Sequence, residues 1–161
     1  MEQGLFTVWC ILLLDKEGKR LYCRYYGDHF KTLKRQRHFE KQLIDKVNSG
    51  EEIIEIQNSI TCAKSFSDLH LFVTGNQDEN ELILYNVLQN FYTTLLLIFR
   101  NQIDKTILIE NVDIVMLIFD EICDQGYILE MNPETIASRA LIQDGNSQSN
   151  KSSFLQNFLN N

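Results

Sequence analysis

Residues 79–100, ENELILYNVLQNFYTTLLLIFR, contain neither Gly nor Pro and predict one uninterrupted helix, roughly 33 Å long at 1.5 Å per residue. Asp78 or Asn80 can cap it, Glu79 and Glu81 fill its first turn, and Arg100 complements the dipole at its far end. Leu84, Leu88, Phe91, Leu95 and Ile98 recur at helical spacing and form one apolar stripe. A second stripe runs beside it through Leu82, Tyr85, Tyr92, Leu96 and Phe99, leaving a narrow polar seam of Asn86, Gln89, Asn90, Thr93 and Asn101. A helix with its back to water needs only one apolar face. This helix is therefore either sandwiched inside its own domain or meets another chain along Leu82, Tyr85, Tyr92, Leu96 and Phe99.

Upstream, three short strands are expected at 51–57, 59–66 and 68–74, with a turn at Ser67-Asp68. His70 alternates with Leu69, Leu71 and Val73, which turns it to the opposite face. A helix over 29–47, capped by Asp28 and ended by Gly50, precedes them, with Lys31, Lys34, Arg35, His38 and Lys41 on its polar side. Lys31, Lys34, Arg35 and Lys41 form a basic patch that could face phospholipid or an acidic partner, although a solvated helix surface is the simpler reading. The N-terminal part, 5–14 and 20–26, predicts a hairpin closed by Asp15-Lys16-Glu17-Gly18. In its second strand Leu21, Cys23 and Tyr25 should share a face, with Arg20, Tyr22 and Arg24 on the other.

Downstream, one helix is expected over 106–123, stopped by Asp124-Gln125-Gly126, then an extended stretch at 127–131. A short helix with Asn132 as cap and Pro133 at its first position should end near Leu141. The fold class is α+β: a five-stranded, mainly antiparallel sheet with one helix on one face and two on the other, plus a short C-terminal helix. Residues 1–142 make the domain, and 143–161 a polar, mobile tail.

Composition supports one globular domain: 161 residues, 44% hydrophobic and 23% charged, with one Pro and seven Gly. The net charge of −7 argues against nucleic acid as a partner, and it is unevenly placed: residues 1–50 hold ten Lys/Arg against six Asp/Glu. Asn86, Gln89, Asn90, Thr93 and Thr94 would be costly in lipid, so a membrane-spanning helix is not expected. The first residues lack the basic flank and cleavage site of a signal peptide. Cys10, Cys23, Cys62 and Cys123 lie in apolar segments without a CxxC pair, as reduced core thiols do.

No catalytic, cofactor-binding or metal constellation emerges. The histidines, His29, His38 and His70, fall in differently oriented elements, and no phosphate-loop, dinucleotide, zincin or nucleophile-elbow motif is present. Asp113, Asp120, Glu121 and Asp124 have apolar residues between them and predict a solvated acidic face. An interaction module, with no enzymatic activity and no cofactor, is the expectation.

Three stretches carry a family resemblance: LFTVWCILLLDKEGKRLYCRYY (5–26), AKSFSDLHLFVTGNQDENELILYNVLQNF (63–91) and LIENVDIVMLIFDEICDQGYILEMNPETI (108–136). They resemble the coatomer zeta branch of the clathrin adaptor small-chain family, whose domains share the longin-like fold. FDEICDQG, residues 119–126, is the segment that separates this family from longin SNAREs and transport-particle subunits. The resemblance implies a non-enzymatic COPI coat subunit paired with the large gamma subunit, alongside the beta and delta subunits. It further implies recruitment through an Arf-class GTPase, a cytoplasmic location peripheral on Golgi membranes, and retrograde transport to the endoplasmic reticulum. Clathrin adaptor small chains bind acidic dileucine signals beside a basic residue of the second strand, the place that Arg20 matches. Their apolar pocket positions align with Tyr92 and Gln102, whose ring and amide would fill or spoil such a pocket, so dileucine binding is not expected.

Overall fold

β1 (Val8–Asp15) is apolar almost throughout because it lies inside the sheet with both faces covered. The computed structural model of the protein describes residues 7–147. β2 (Arg20–Tyr25) completes the first hairpin, α1 (Leu33–Asn48) crosses the sheet, and β3 (Ile53–Ile56), β4 (Ser59–Phe66) and β5 (Leu69–Asn76) follow as a meander. The strands are antiparallel throughout, in the order β2-β1-β5-β4-β3. Then come α2 (Glu81–Phe99), α3 (Lys105–Glu110), α4 (Val112–Ile122), a small hairpin of β6 (Cys123–Asp124) and β7 (Tyr127–Ile128), and α5 (Pro133–Ser147).

Alternation along β1 feeds two cores. Cys10, Leu12 and Leu14 meet Phe39, Leu43 and Ile44 of α1 on one side. Val8, Ile11 and Leu13 join α2, α4 and α5 on the other. α2 lies on β4 and β5, α4 packs beside it with Phe119 against Phe91 at 4.7 Å, and α5 rests on both helices. By length and a mean hydropathy of 1.5, α2 could cross a membrane. In the fold it is the core helix, with Leu84, Val87, Leu88, Phe91, Leu95, Ile98 and Phe99 buried. The buried Thr94 hydroxyl donates to the Asn90 carbonyl at 2.6 Å, which satisfies it within the helix.

Lys105 ties two turns to this layer. Its ammonium donates to Asp15 at 2.8 Å, and its backbone amide to Asp68 at 3.0 Å. Burial pushes the Asp15 carboxyl up, but the bond from Lys105 and the amides of Lys19 and Glu17 outweigh it and hold it below the ordinary range. A carboxyl depressed on folding stabilises fully above its unfolded value, about 3.9, and loses that contribution as pH falls through the folded one. Asp15→Asn should therefore lower the urea midpoint at neutral pH, and the gap from the parent should close in acid. An equal gap at pH 7 and pH 3 would contradict the ion pair.

Several elements depart from the sequence expectations. α1 starts at Leu33, not near 29, because the Thr32 hydroxyl, rather than Asp28, accepts the Arg35 amide and caps the helix. The helix expected over 106–123 is broken at Asn111, whose side-chain and backbone N–H groups both donate to the Ile107 carbonyl. A register shift at Leu13/Leu14 places a bulge at Leu21. Arg20 consequently joins Cys23 and Tyr25 on the α1 side, while Leu21 packs into the other core, which breaks the expected alternation. The extended stretch after 126 is half of a hairpin, turned by Gln125 (φ 50°) and Gly126 (φ 89°). A Cβ on Gly126 would lie 2.8 Å from the Val8 carbonyl, and the Val8 amide donates to the Gly126 carbonyl at 2.6 Å, so only Gly lets this hairpin close on β1. α5 continues to Ser147 instead of ending near Leu141: Asp144 is buried on the face that already holds Ala137, Ala140 and Leu141. The remainder of the expected tail, 148–161, lies outside the described residues.

Candidate interaction surfaces

The second stripe of α2 divides along its length. Leu82 and Tyr85 are 60% and 45% exposed, while Tyr92 and Leu96 are half-buried. Phe99 is a correction: at 5% exposure it belongs to the domain's own core. Beyond it Arg100 (φ 52°) and Asn101 (φ 66°) take left-handed conformations and turn the chain back, bringing Ile103 and Leu108 into the same core. Tyr92 is engaged within the chain, with the Phe66 ring at 5.0 Å and the Lys64 ammonium 4.6 Å from its ring centre. Gln89 donates to the Tyr85 hydroxyl at 2.6 Å, and Asn90 donates to the Met131 sulfur at 3.6 Å. The outward face of α2 thus presents Leu82 and Tyr85 at its N-terminal end, flanked by Asn86 and Gln89.

Lys31, Lys34, Arg35 and Lys41 are all exposed. The shifted helix start leaves Lys31 on the preceding turn, 3.8 Å from Asp28. Lys34, Arg35 and Lys41 form no ion pair among the described residues. Their helix lies across the sheet from α2, so the two candidate surfaces are on opposite faces.

Arg20, Tyr92 and Gln102 do not converge. Arg20 faces α1, where its Nε donates to the buried Glu40 carboxylate at 2.6 Å and its Nη2 to Gln36 at 2.8 Å. The Tyr25 hydroxyl donates to the same Glu40 oxygen at 2.9 Å, and Arg37 approaches the other at 3.6 Å. Tyr92 lies in the opposite layer, and Gln102 is exposed. The guanidinium that would meet an acidic signal is committed to this network, which the sequence reading missed; Glu40, a carboxylate in line with Gln36 and Leu43 on one face of a predicted helix, was its signal.

No group of three or more His, Cys, Asp or Glu among the described residues could hold a metal. Burial pushes the thiols up, Cys10 to about 12 and Cys62 and Cys123 to about 11, so they are protonated at neutral pH and poorly nucleophilic. His70 is buried, with the Ser65 hydroxyl 2.7 Å from its Nδ1 and burial pulling its pKa down. Glu121 and Asp120 are held by Arg139 and Arg24 at 3.6 and 3.8 Å.

The model of the clathrin adaptor complex small chain family matches residues 7–147. The chain is similar to coatomer subunit zeta-1 of Arabidopsis thaliana, 41% identical over 135 residues, which cover 81% of this chain and 76% of that one. With coatomer subunit zeta-1 of Homo sapiens it shares 36% identity over 144 residues, covering 89% and 81%. With the probable coatomer subunit zeta-A of Dictyostelium discoideum it shares 38% over 148 residues, covering 89% and 85%. A chain in a homology model of the full-length AP-3 complex, in a stretched open conformation, superposes with a TM-score of 0.69 over 91% of this chain and 98% of its own. At 15% identity that likeness concerns the fold, and it is the longin-like arrangement expected from the strand and helix order.

Proposed function

We propose a specific role for this chain, which belongs to the clathrin adaptor complex small chain family and groups with its coatomer zeta members. It is a subunit of a vesicle coat complex. Within that complex it is the non-enzymatic small chain of the COPI coatomer, paired with the large gamma subunit in an assembly that includes the beta and delta subunits. It reaches Golgi membranes peripherally, through a complex recruited by an Arf-class GTPase, and serves Golgi-to-ER retrograde and intra-Golgi transport.

The observation that carries this reading beyond the family is the outward face of α2. Leu82 and Tyr85 stand exposed on a helix whose opposite face is buried in the core, with Tyr92 and Leu96 continuing the stripe. Covering a few hundred Å² of this face at roughly 25 cal/mol/Å² supplies several kcal/mol before association costs. The exposed basic patch of Lys34, Arg35 and Lys41, with Lys31 beside Asp28 at its edge, offers a second contact on the far side of the sheet.

Affinity purification of the tagged protein from cytosol, with size exclusion and mass spectrometry, tests the role. Recovery in one large complex with gamma, beta and delta subunits is the expected result. A monomer, or association with tethering factors instead, would reject the coatomer role and leave a longin-type regulator.

A further inference from the structure

Trp9, the single tryptophan of the chain, stands on a β-bulge: Val8 and Cys10 pair with the adjacent Gly75 and Thr74, so β5 offers Trp9 no opposite number. A bulge re-aims the side chain it carries. Here the indole turns to the α1 side and stacks on His29, with ring centroids 3.8 Å apart and planes 14° from parallel. The stacked pair walls a cleft of about 680 Å³ between the first half of α1 and the β3–β4 turn. Phe39 gives it an apolar lining, and Lys34, Arg35 and His38 stand along its α1 side.

Among the described residues no carboxylate lines this cleft. Lys34 and Arg35 have no ion pair among the described residues, in a chain whose net charge is −7. Adjacent unpaired cations beside an aromatic wall offer charge to an anion and apolar area to whatever carries it. We propose that the cleft binds an acidic, extended peptide segment of another protein, its carboxylates on Lys34 and Arg35 and one apolar side chain against Trp9 and Phe39. A flat anionic bilayer would engage the protruding cations but leave the concave aromatic wall unused. The cleft lies across the sheet from α2, so its occupant neither needs nor competes with a partner seated there, and it stands apart from the coatomer role.

Trp9 makes the test direct, since its emission reports occupancy of the wall it forms. The full-length chain is titrated with an acetylated peptide of glutamates flanking one phenylalanine. A saturable change in Trp9 emission is expected, with affinity at least about tenfold lower in Lys34→Glu/Arg35→Glu and with the peptide's glutamates replaced by glutamines. Both residues are exposed, and circular dichroism verifies that the variant keeps its fold. Absence of a saturable response, or equal binding by the folded double variant, overturns the proposal. A response to phosphatidylserine vesicles without one to the peptide overturns it equally, in favour of a lipid surface.

Discussion

Phe99→Asp should leave the protein largely unfolded, whereas Leu82→Asp should leave it folded and weaken its hold on the large subunit proposed as its partner. Both residues belong to the same apolar stripe in the sequence, and only the fold separates them. Phe99 is buried among Ile98, Ile103 and Leu108, so the substitution removes a ring and places a carboxylate in the core. Losing the aromatic costs about 3–5 kcal/mol, and burying an unpaired charge adds to it, against a total stability of about 5–15 kcal/mol for a domain. Leu82 is exposed in the first turn of α2, after the Asn80 cap, where a carboxylate complements the helix dipole. Its replacement should leave the urea midpoint unchanged or slightly raised. What it loses is apolar area for the partner, read as weaker recovery of coat subunits on purification. A folded Phe99→Asp protein would refute the assignment of that residue to the core. Undiminished recovery with Leu82→Asp would remove the α2 face as the contact.

The second large effect is expected at Glu40. Its carboxylate, buried beneath α1, accepts from Arg20 and the Tyr25 hydroxyl and faces Arg37. Glu40→Ala takes away the counter-charge of a largely buried guanidinium, leaving it only the Gln36 amide oxygen, and leaves the Tyr25 hydroxyl without its acceptor, at a cost of about 3–5 kcal/mol. Arg20→Met/Glu40→Leu removes both charges together and should regain most of that loss, because neither is left unpaired. Urea unfolding of the three proteins measures it. A loss below about 1 kcal/mol in the single variant, the range of an exposed pair, would mean that water reaches this network.

The architecture was legible because its signals were long. Residues 79–100 and the two-sided apolar run of β1 specify a helix and a strand that have to be covered on more than one side, and the sheet with helices on both faces follows from them. Elements governed by single side chains were harder to read. Thr32 displaced Asp28 as the cap of α1, Asn111 split a helix that its apolar periodicity made continuous, and the bulges at Trp9 and Leu21 redirected side chains without altering composition. The two-residue strands of β6 and β7 are too short to show alternation; their one signal was Gln125-Gly126, which reads equally well as a helix stop. The candidate surfaces were only half legible for a related reason. Periodicity groups residues by helix face but does not say where the chain turns back, and the turn through Arg100 and Asn101 is what buries Phe99.

The strand order has a kinetic consequence. β1 is flanked by β2, made soon after it, and by β5, with Ile11 opposite Val73 and Leu13 opposite Leu71. Contacts this distant in sequence have to close a long loop before they return any energy, which slows the search for the native state. During synthesis the first hairpin emerges with the β1 edge and both broad faces bare; α1 comes next and can cover one face, but the edge stays open until β5 has left the ribosome. The clasp of Gly126 on Val8 forms later still. Until residues 69–76 have emerged, β1 presents an open sheet edge, the condition in which chains pair wrongly with one another.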